Sequence, residues 1–177
     1  MITIILTGFM GTGKSSVGKA LARMTGMEFM DLDELIEAET GQSINDIFAQ
    51  QGESLFRSME TAALRKITPR DNILLSTGGG AVLAAENREI FRSMGTVINL
   101  TAPASVICSR LRHTTNRPLL NDGADRVKLE QMLQEREPCY AEADIRIDTT
   151  GKKIEDVAAE ILAFMTTITS DVLPGQG

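Results

Sequence analysis

Near the amino end, Gly8-Phe9-Met10-Gly11-Thr12-Gly13-Lys14-Ser15 sets two glycines, a lysine and a hydroxyl at the spacing G-x-x-x-x-G-K-[ST]. Each fixed position has a job in holding a chain of phosphates. The glycines let the backbone curl so that successive N–H groups face inward as an anion nest. The Lys14 ammonium reaches the β- and γ-phosphates, and the Ser15 hydroxyl can ligate Mg²⁺. A phosphate held there also sits on the N-terminus of the following helix, where unpaired N–H groups and the dipole favour negative charge. The apolar, β-prone run Ile2 to Leu6 precedes the loop and a helical pattern follows it, which is the context the motif requires. A nucleoside triphosphate is the expected ligand.

Other residues able to do chemistry must be brought to that loop. Asp31-Leu32-Asp33 closes a short strand expected from Glu28 to Leu32, where alternation would set both carboxylates on one face. By itself the pair reads equally as a solvated strand end or a helix cap. Thr77-Gly78-Gly79-Gly80 follows the apolar run Ile73 to Ser76. Three consecutive glycines cost backbone entropy, so something is expected to approach the chain closely there. From His113 to Ala124 the chain is polar and carries Asn116-Arg117-Pro118, a candidate lid with an arginine on it. A nest, a lysine, a hydroxyl for metal, paired carboxylates and a lid arginine specify phosphoryl transfer, a reaction catalysed mostly by positioning and charge neutralisation.

The elements that must position these groups alternate. Val17, Ala20, Leu21 and Met24 fall at helical spacing, and Gly26 marks a stop. Glu34 to Thr40 reads as a helix ending at Gly41. Ser43 with Asp46 resembles an N-cap, and Gly52 interrupts before Leu55, Phe56, Met59, Ala63 and Ile67 resume the helical period. This is a helical insertion between strands. Glu86 to Met94 is a helix, Thr96 to Leu100 a strand, and Pro103 opens a helix reaching about Arg112. Asp125 to about Glu142 is helical, with Pro138 expected to bend or end it. Ile145 to Ile147 is a last strand, and Ile154, Val157, Ala158, Ile161, Leu162 and Met165 stripe a closing helix. Such alternation predicts a parallel α/β sheet with right-handed crossovers and a ligand outside the strand carboxyl ends. The phosphate loop, Asp-x-Asp and triple glycine all lie at such ends and should converge.

A length of 177 residues suits one domain: 1–170, with an insertion at about 33–67, a lid at about 113–124 and a tail at 171–177 expected to be loose. With 42% apolar and 24% charged residues, the composition excludes a disordered or fibrous chain. No apolar run approaches the ~20 residues needed to span a bilayer, and the first apolar stretch lacks the flanks of a signal peptide. Neither membrane nor nucleic acid is an expected partner, since a net charge of −6 offers no basic face to a phosphate backbone. An anionic substrate would instead need specific arginines. Cys108 and Cys139 have no metal-ligand spacing and are expected as buried free thiols in a reducing cytoplasm. His113, the one histidine, is expected in a solvated loop, and the nine methionines as packing.

In order along the chain, GFMGTGKSSVGKALA, DLDELIE, GQSINDIF, GESLFRSME, LSTGGGAVL and NRPLL resemble the shikimate kinases over essentially the whole length. The resemblance implies a nucleoside-monophosphate-kinase-like three-layer sandwich whose five parallel strands run in the order 2-3-1-4-5. It also implies transfer of the ATP γ-phosphate to the 3-hydroxyl of shikimate in aromatic amino-acid biosynthesis, in a cytoplasmic enzyme, with a monomer expected. Gly11, Thr12, Gly13, Lys14, Ser15 and Ser16 match the nucleotide phosphate contacts. Ser15 matches the Mg²⁺ ligand, and Asp31 would touch the metal through water. Asp33 matches the residue that binds the ring hydroxyls and accepts the proton of the attacking one; the competing reading is a cap for the helix from Glu34 onward, and it could do both. Arg57 and Arg136 match the two arginines on the shikimate carboxylate. For Arg57 the competing reading is a solvated helix position, for Arg136 pairing with its acidic neighbours. Gly79 matches a backbone contact to substrate, and Arg117 the lid arginine over the phosphates. Arg110 matches the residue beside adenine, with Arg112 as substitute because Leu111 departs from the family pattern, and the loop at Thr149-Thr150-Gly151 faces the base.

Two rivals share parts of this pattern. A gluconate kinase would use the same loop and lid but would not be expected to keep Asp33, Arg57, Gly79 and Arg136 together. A GTP-dependent switch would need a guanine-reading N-K-x-D, and no asparagine here precedes a lysine.

Overall fold

The computed structural model describes residues 2–68, 70–112 and 123–172, the side chains of 123–125 and 168–172 excepted. The expected lid therefore lies almost wholly outside the described residues, together with His113, Asn116, Arg117 and Pro118, as does the chain after 172.

In chain order the elements are β1 (Ile4–Thr7), α1 (Lys14–Thr25), β2 (Glu28–Asp31), α2 (Leu32–Thr40), α3 (Ile44–Ile67), β3 (Ile73–Ser76), α4 (Ala85–Met94), β4 (Thr96–Thr101), α5 (Ala104–Arg112), α6 (Gly123–Tyr140), β5 (Ile145–Asp148) and α7 (Ile154–Val172). All strand pairs are parallel, and their order is β2-β3-β1-β4-β5. Central β1 is buried along its whole length because both faces are covered, which is why Ile4 to Leu6 is an unbroken apolar run. Ile5 points into one core, with Ile36, Ile47, Phe56, Leu64, Phe91 and Ile107 from the helices α2 to α5. Ile4 and Leu6 point into the other, with Val17 and Leu21 of α1 and Val157 and Ile161 of α7. Each such aliphatic side chain, fully buried, contributes about 1.5–3 kcal/mol. The sheet is thus held as the middle of three layers.

Several local expectations are met. α1 and α2 stop at left-handed Gly26 and Gly41, and the Ser43 hydroxyl accepts the Asp46 N–H at 3.1 Å. α3 breaks at Gly52, whose φ of 80° and ψ of 167° only glycine adopts cheaply. α6 ends two residues after Pro138. α7, by contrast, continues to Val172, two residues into the tail expected to be loose.

One placement differs. β2 ends at Asp31 and α2 begins at Leu32, so Asp33 lies in the first turn of a helix and not on a strand face beside Asp31. Nor is Asp33 the cap: Asp31 is, its Oδ1 accepting the Asp33 N–H at 3.1 Å. An aspartate at a strand end is a strong N-cap, and it starts the helix before the alternation can continue. A short 3₁₀ turn at Ala81–Leu83 was also not anticipated. Cys108 and Cys139 are unpaired but half-buried, not buried.

Candidate active site

The carboxyl ends of β1, β2 and β3 come together by register. Asp31 of β2 lies opposite Ser76 of β3, and Ser76 opposite Leu6 of β1. Beyond the strands, Thr77 keeps the chains together, donating to the Leu6 carbonyl through its N–H at 3.1 Å and its hydroxyl at 3.0 Å. The phosphate loop and the triple glycine thus leave adjacent strands side by side. Gly79 is so close that a Cβ there would lie 3.1 Å from the Met10 nitrogen.

Within the phosphate loop, Gly13 is left-handed at φ 96° immediately before α1, the conformation that turns successive N–H groups to one side. The Thr12 hydroxyl donates to the Phe9 carbonyl at 2.8 Å and fixes the turn. Lys14 is buried, its Nζ donating to the carbonyls of Gly8 at 2.8 Å and Phe9 at 3.1 Å. The Ser15 hydroxyl donates to Asp31 Oδ2 at 2.7 Å and lies 3.3 Å from the Ser76 hydroxyl. These are hard oxygen donors, and a carboxylate with a hydroxyl suits Mg²⁺, which binds through one or two protein groups, phosphate oxygens and retained waters. Among the described residues no cluster of three His, Cys, Asp or Glu could hold a metal by itself.

Arg110, not Arg112, turns to the loop. Its Nη1 donates to the Gly11 carbonyl at 3.2 Å and to the Thr149 hydroxyl at 3.0 Å, and its Nη2 to the Thr149 carbonyl at 2.8 Å. Arg112 is exposed. Thr149 is tied to β4 through the Thr101 carbonyl, so Arg110 links the phosphate loop to the loop after β5.

The opposite side of the crevice is built by α3 and α6. Arg57 has Glu53 one turn before it and Glu60 one turn after, all on the same helix face. Its Nη1 donates to Glu60 Oε2 at 2.6 Å, while Nε and Nη2 both donate to Glu53 Oε1 at 3.3 and 2.9 Å. The Arg57 side chain is half-buried, lies over the Phe56 ring at 5.3 Å and faces Gly80. It is not the solvated helix position that competed for it. On α6, Arg136 and Tyr140 are four residues apart and reach the same target: both donate to the Gly79 carbonyl, Arg136 at 3.4 Å. Arg136 also stacks over Phe9 at 5.3 Å, whereas its neighbour Glu137 pairs with Arg146. Asp33 Oδ1 and Glu60 Oε1 each lie 2.9 Å from where a Cβ on Gly78 would sit. Asp33, Arg57, Gly79 and Arg136 are therefore gathered around one glycine loop, and that loop is steadied from behind. Buried Asn87 donates to the Ala81 carbonyl at 2.9 Å and accepts from Thr61 at 2.8 Å.

Glu60, Tyr140 and Ser76 were not anticipated as part of this site. A signal was present: Glu60 lies three residues after Arg57, and Tyr140, the one tyrosine, four after Arg136. Burial pushes the Tyr140 hydroxyl up to about 12, so it stays a donor to Gly79. Burial likewise pushes the Glu60 carboxyl from its ordinary 4.5 up to about 7, opposed by Arg57 and assisted by Asp33. A carboxyl raised on folding stabilises the protein fully below its unfolded value, and that contribution is lost as pH rises through the folded value, here between 4.5 and about 7. Glu60→Gln is expected to flatten the fall of melting temperature across this range. Melting curves at stepped pH check it, and an unchanged slope would mean that Glu60 does not set it.

A family model described as shikimate kinase matches residues 10–166. The chain is 52% identical over 162 residues to the shikimate kinase of Geobacter metallireducens, covering 92% of this chain and 90% of that protein. It is 46% identical over 160 residues to that of Halorhodospira halophila, covering 90% of each. Among solved structures, shikimate kinase from Acinetobacter baumannii in complex with shikimate superposes with a TM-score of 0.88 at 39% identity, covering 94% of both chains. A gluconokinase from Sinorhizobium meliloti superposes with a TM-score of 0.59 at 18% identity, a likeness of fold alone.

Proposed function

The chain belongs to the shikimate kinase family, and from that premise we propose that it transfers the γ-phosphate of ATP to the 3-hydroxyl of shikimate with Mg²⁺ held at Ser15 and, through water, Asp31. The observation that carries this reading is the convergence of Arg57 and Arg136 on the Gly79–Gly80 backbone beside the Asp33 carboxylate. A small acid with hydroxyls needs both signs of charge, arranged in that way.

Shikimate enters with its carboxylate toward Arg57 and Arg136, which offer planar, charge-assisted donors. Gly79 gives the acceptor a backbone contact. Asp33 orients the attacking hydroxyl and takes its proton as the oxygen bonds to the γ-phosphorus. The bond from that phosphorus to the bridging oxygen breaks in line, and ADP leaves without a covalent enzyme intermediate. Gly11, Thr12, Gly13 and Ser16 hold the phosphates, Lys14 and Arg117 neutralise charge on the transferred group, and Arg110 supports the adenine end. When bound, Mg²⁺ neutralises phosphate charge and orients the oxygens. Closure of residues near 113–124 would exclude water, which otherwise competes as acceptor. Among the described residues no helix is long and apolar enough to cross a membrane. The reading includes a single domain over 1–170 acting as a cytoplasmic monomer.

A panel assay tests the reaction: ADP release with ATP and Mg²⁺, offered shikimate, gluconate, nucleoside monophosphates or water alone. Shikimate is the expected acceptor. Preference for gluconate would favour the rival kinase. A second check uses Gly80→Ala. Gly80 has φ −104°, which alanine adopts without strain, but its Cβ would come within 2.2 Å of Arg57 Nη2. The guanidinium must move while the fold stays, so the KM for shikimate is expected to rise on the order of tenfold. An unchanged KM would separate Arg57 from the acceptor.

A further inference from the structure

We propose that Glu53 is a positioning residue that sets the rotation of the Arg57 guanidinium and so fixes the affinity for the acceptor's carboxylate. The inference rests on the assignment of that carboxylate to Arg57.

A guanidinium has five N–H groups. In Arg57 three of them are engaged: Nε–H and one on Nη2 by a single oxygen, Glu53 Oε1, and one on Nη1 by Glu60 Oε2. Among the described residues these bonds leave one N–H on each terminal nitrogen, and such charge-assisted donors are what a carboxylate takes. Gly80 lies against the same group: a Cβ there would sit 2.2 Å from Nη2, 2.5 Å from Cζ and 2.6 Å from Nη1. Absence of a side chain there leaves the guanidinium its room. Glu60 alone grips one terminal nitrogen and would let the plane swing about it. Glu53, reaching the other side from one turn earlier, stops that rotation. It can do so because the chain breaks at Gly52, and Glu53 opens the second half of α3. As an exposed ion pair, Glu53 with Arg57 is worth little to folding, since its carboxylate is 60% exposed. Its effect is expected in ligand affinity.

A competing physical reading makes Glu53 a rival anion that occupies Arg57 until substrate displaces it. The two readings predict opposite signs. If Glu53 positions Arg57, Glu53→Ala weakens shikimate binding by about fivefold, the scale of freeing one long side chain. Glu53→Gln, which keeps an oxygen where Oε1 is, then restores affinity to within about twofold. If Glu53 competes, both variants bind shikimate more tightly than the parent. Calorimetric titration of the full-length protein with shikimate measures this, with ADP titrated alongside as a control for the phosphate loop. Weaker binding in the alanine variant with rescue by glutamine supports positioning, whereas tighter or unchanged binding in the alanine variant overturns it. So does loss of affinity in both variants. Arg57→Ala in the same titration keeps the two claims apart: affinity retained there would remove the carboxylate assignment itself, whatever Glu53 does.

Discussion

Asp33→Asn is expected to lower kcat for shikimate phosphorylation by roughly 10² to 10⁴, the range a positioned general base contributes. Asparagine keeps the shape and can still hydrogen-bond a ring hydroxyl, so the KM for shikimate should move far less. The location of Asp33 makes the test clean. Its backbone is fixed by the Asp31 cap at 3.1 Å, and its side chain sits against Gly78 next to buried Glu60. The substitution therefore leaves the local helix start intact. Steady-state kinetics with both substrates varied gives the split. A kcat within tenfold of the parent would mean that proton acceptance lies elsewhere or is unimportant to the rate.

Lys14→Ala is expected to cost on the order of 10³ in turnover, because it removes an ammonium buried within the phosphate nest. This ammonium donates to the Gly8 and Phe9 carbonyls of its own loop. Phosphate oxygens would draw it away from those contacts. Loss of the lysine leaves two carbonyls without that donor, so a modest drop in melting temperature should accompany the kinetic loss. Coupled-assay turnover and a thermal melt together distinguish a folded, inactive protein from an unfolded one. Retained turnover in a folded variant would remove the phosphate-loop reading.

Much of this architecture was legible because local chemistry and tertiary context agree. The unbroken apolar β1 run, the glycine stops at 26 and 41, the Ser43 cap and the break at Gly52 are each dictated by a few adjacent residues. The phosphate loop is legible for the same reason: a nest is made by consecutive backbone groups. Asp33 was misplaced because alternation was extended one residue past the point where Asp31 could cap a helix, and the cap won. Contacts of long sequence separation were less accessible. The seizing of Thr149 by Arg110 spans 39 residues, and the meeting of Tyr140 with Gly79 spans 61. Neither has a local pattern. Glu60 shows the limit most sharply: three residues from Arg57 it looks like an ordinary helix ion pair, and only its burial gives it an altered proton affinity.

The acceptor pocket is the central claim, and a crystal structure of the protein with ADP, Mg²⁺ and shikimate tests it most directly. The prediction is a carboxylate within hydrogen-bonding reach of both Arg57 and Arg136, and a ring hydroxyl on Asp33 facing the phosphate loop. Shikimate bound away from Asp33 and both arginines, or seated there with its hydroxyls turned from the nucleotide, would contradict it.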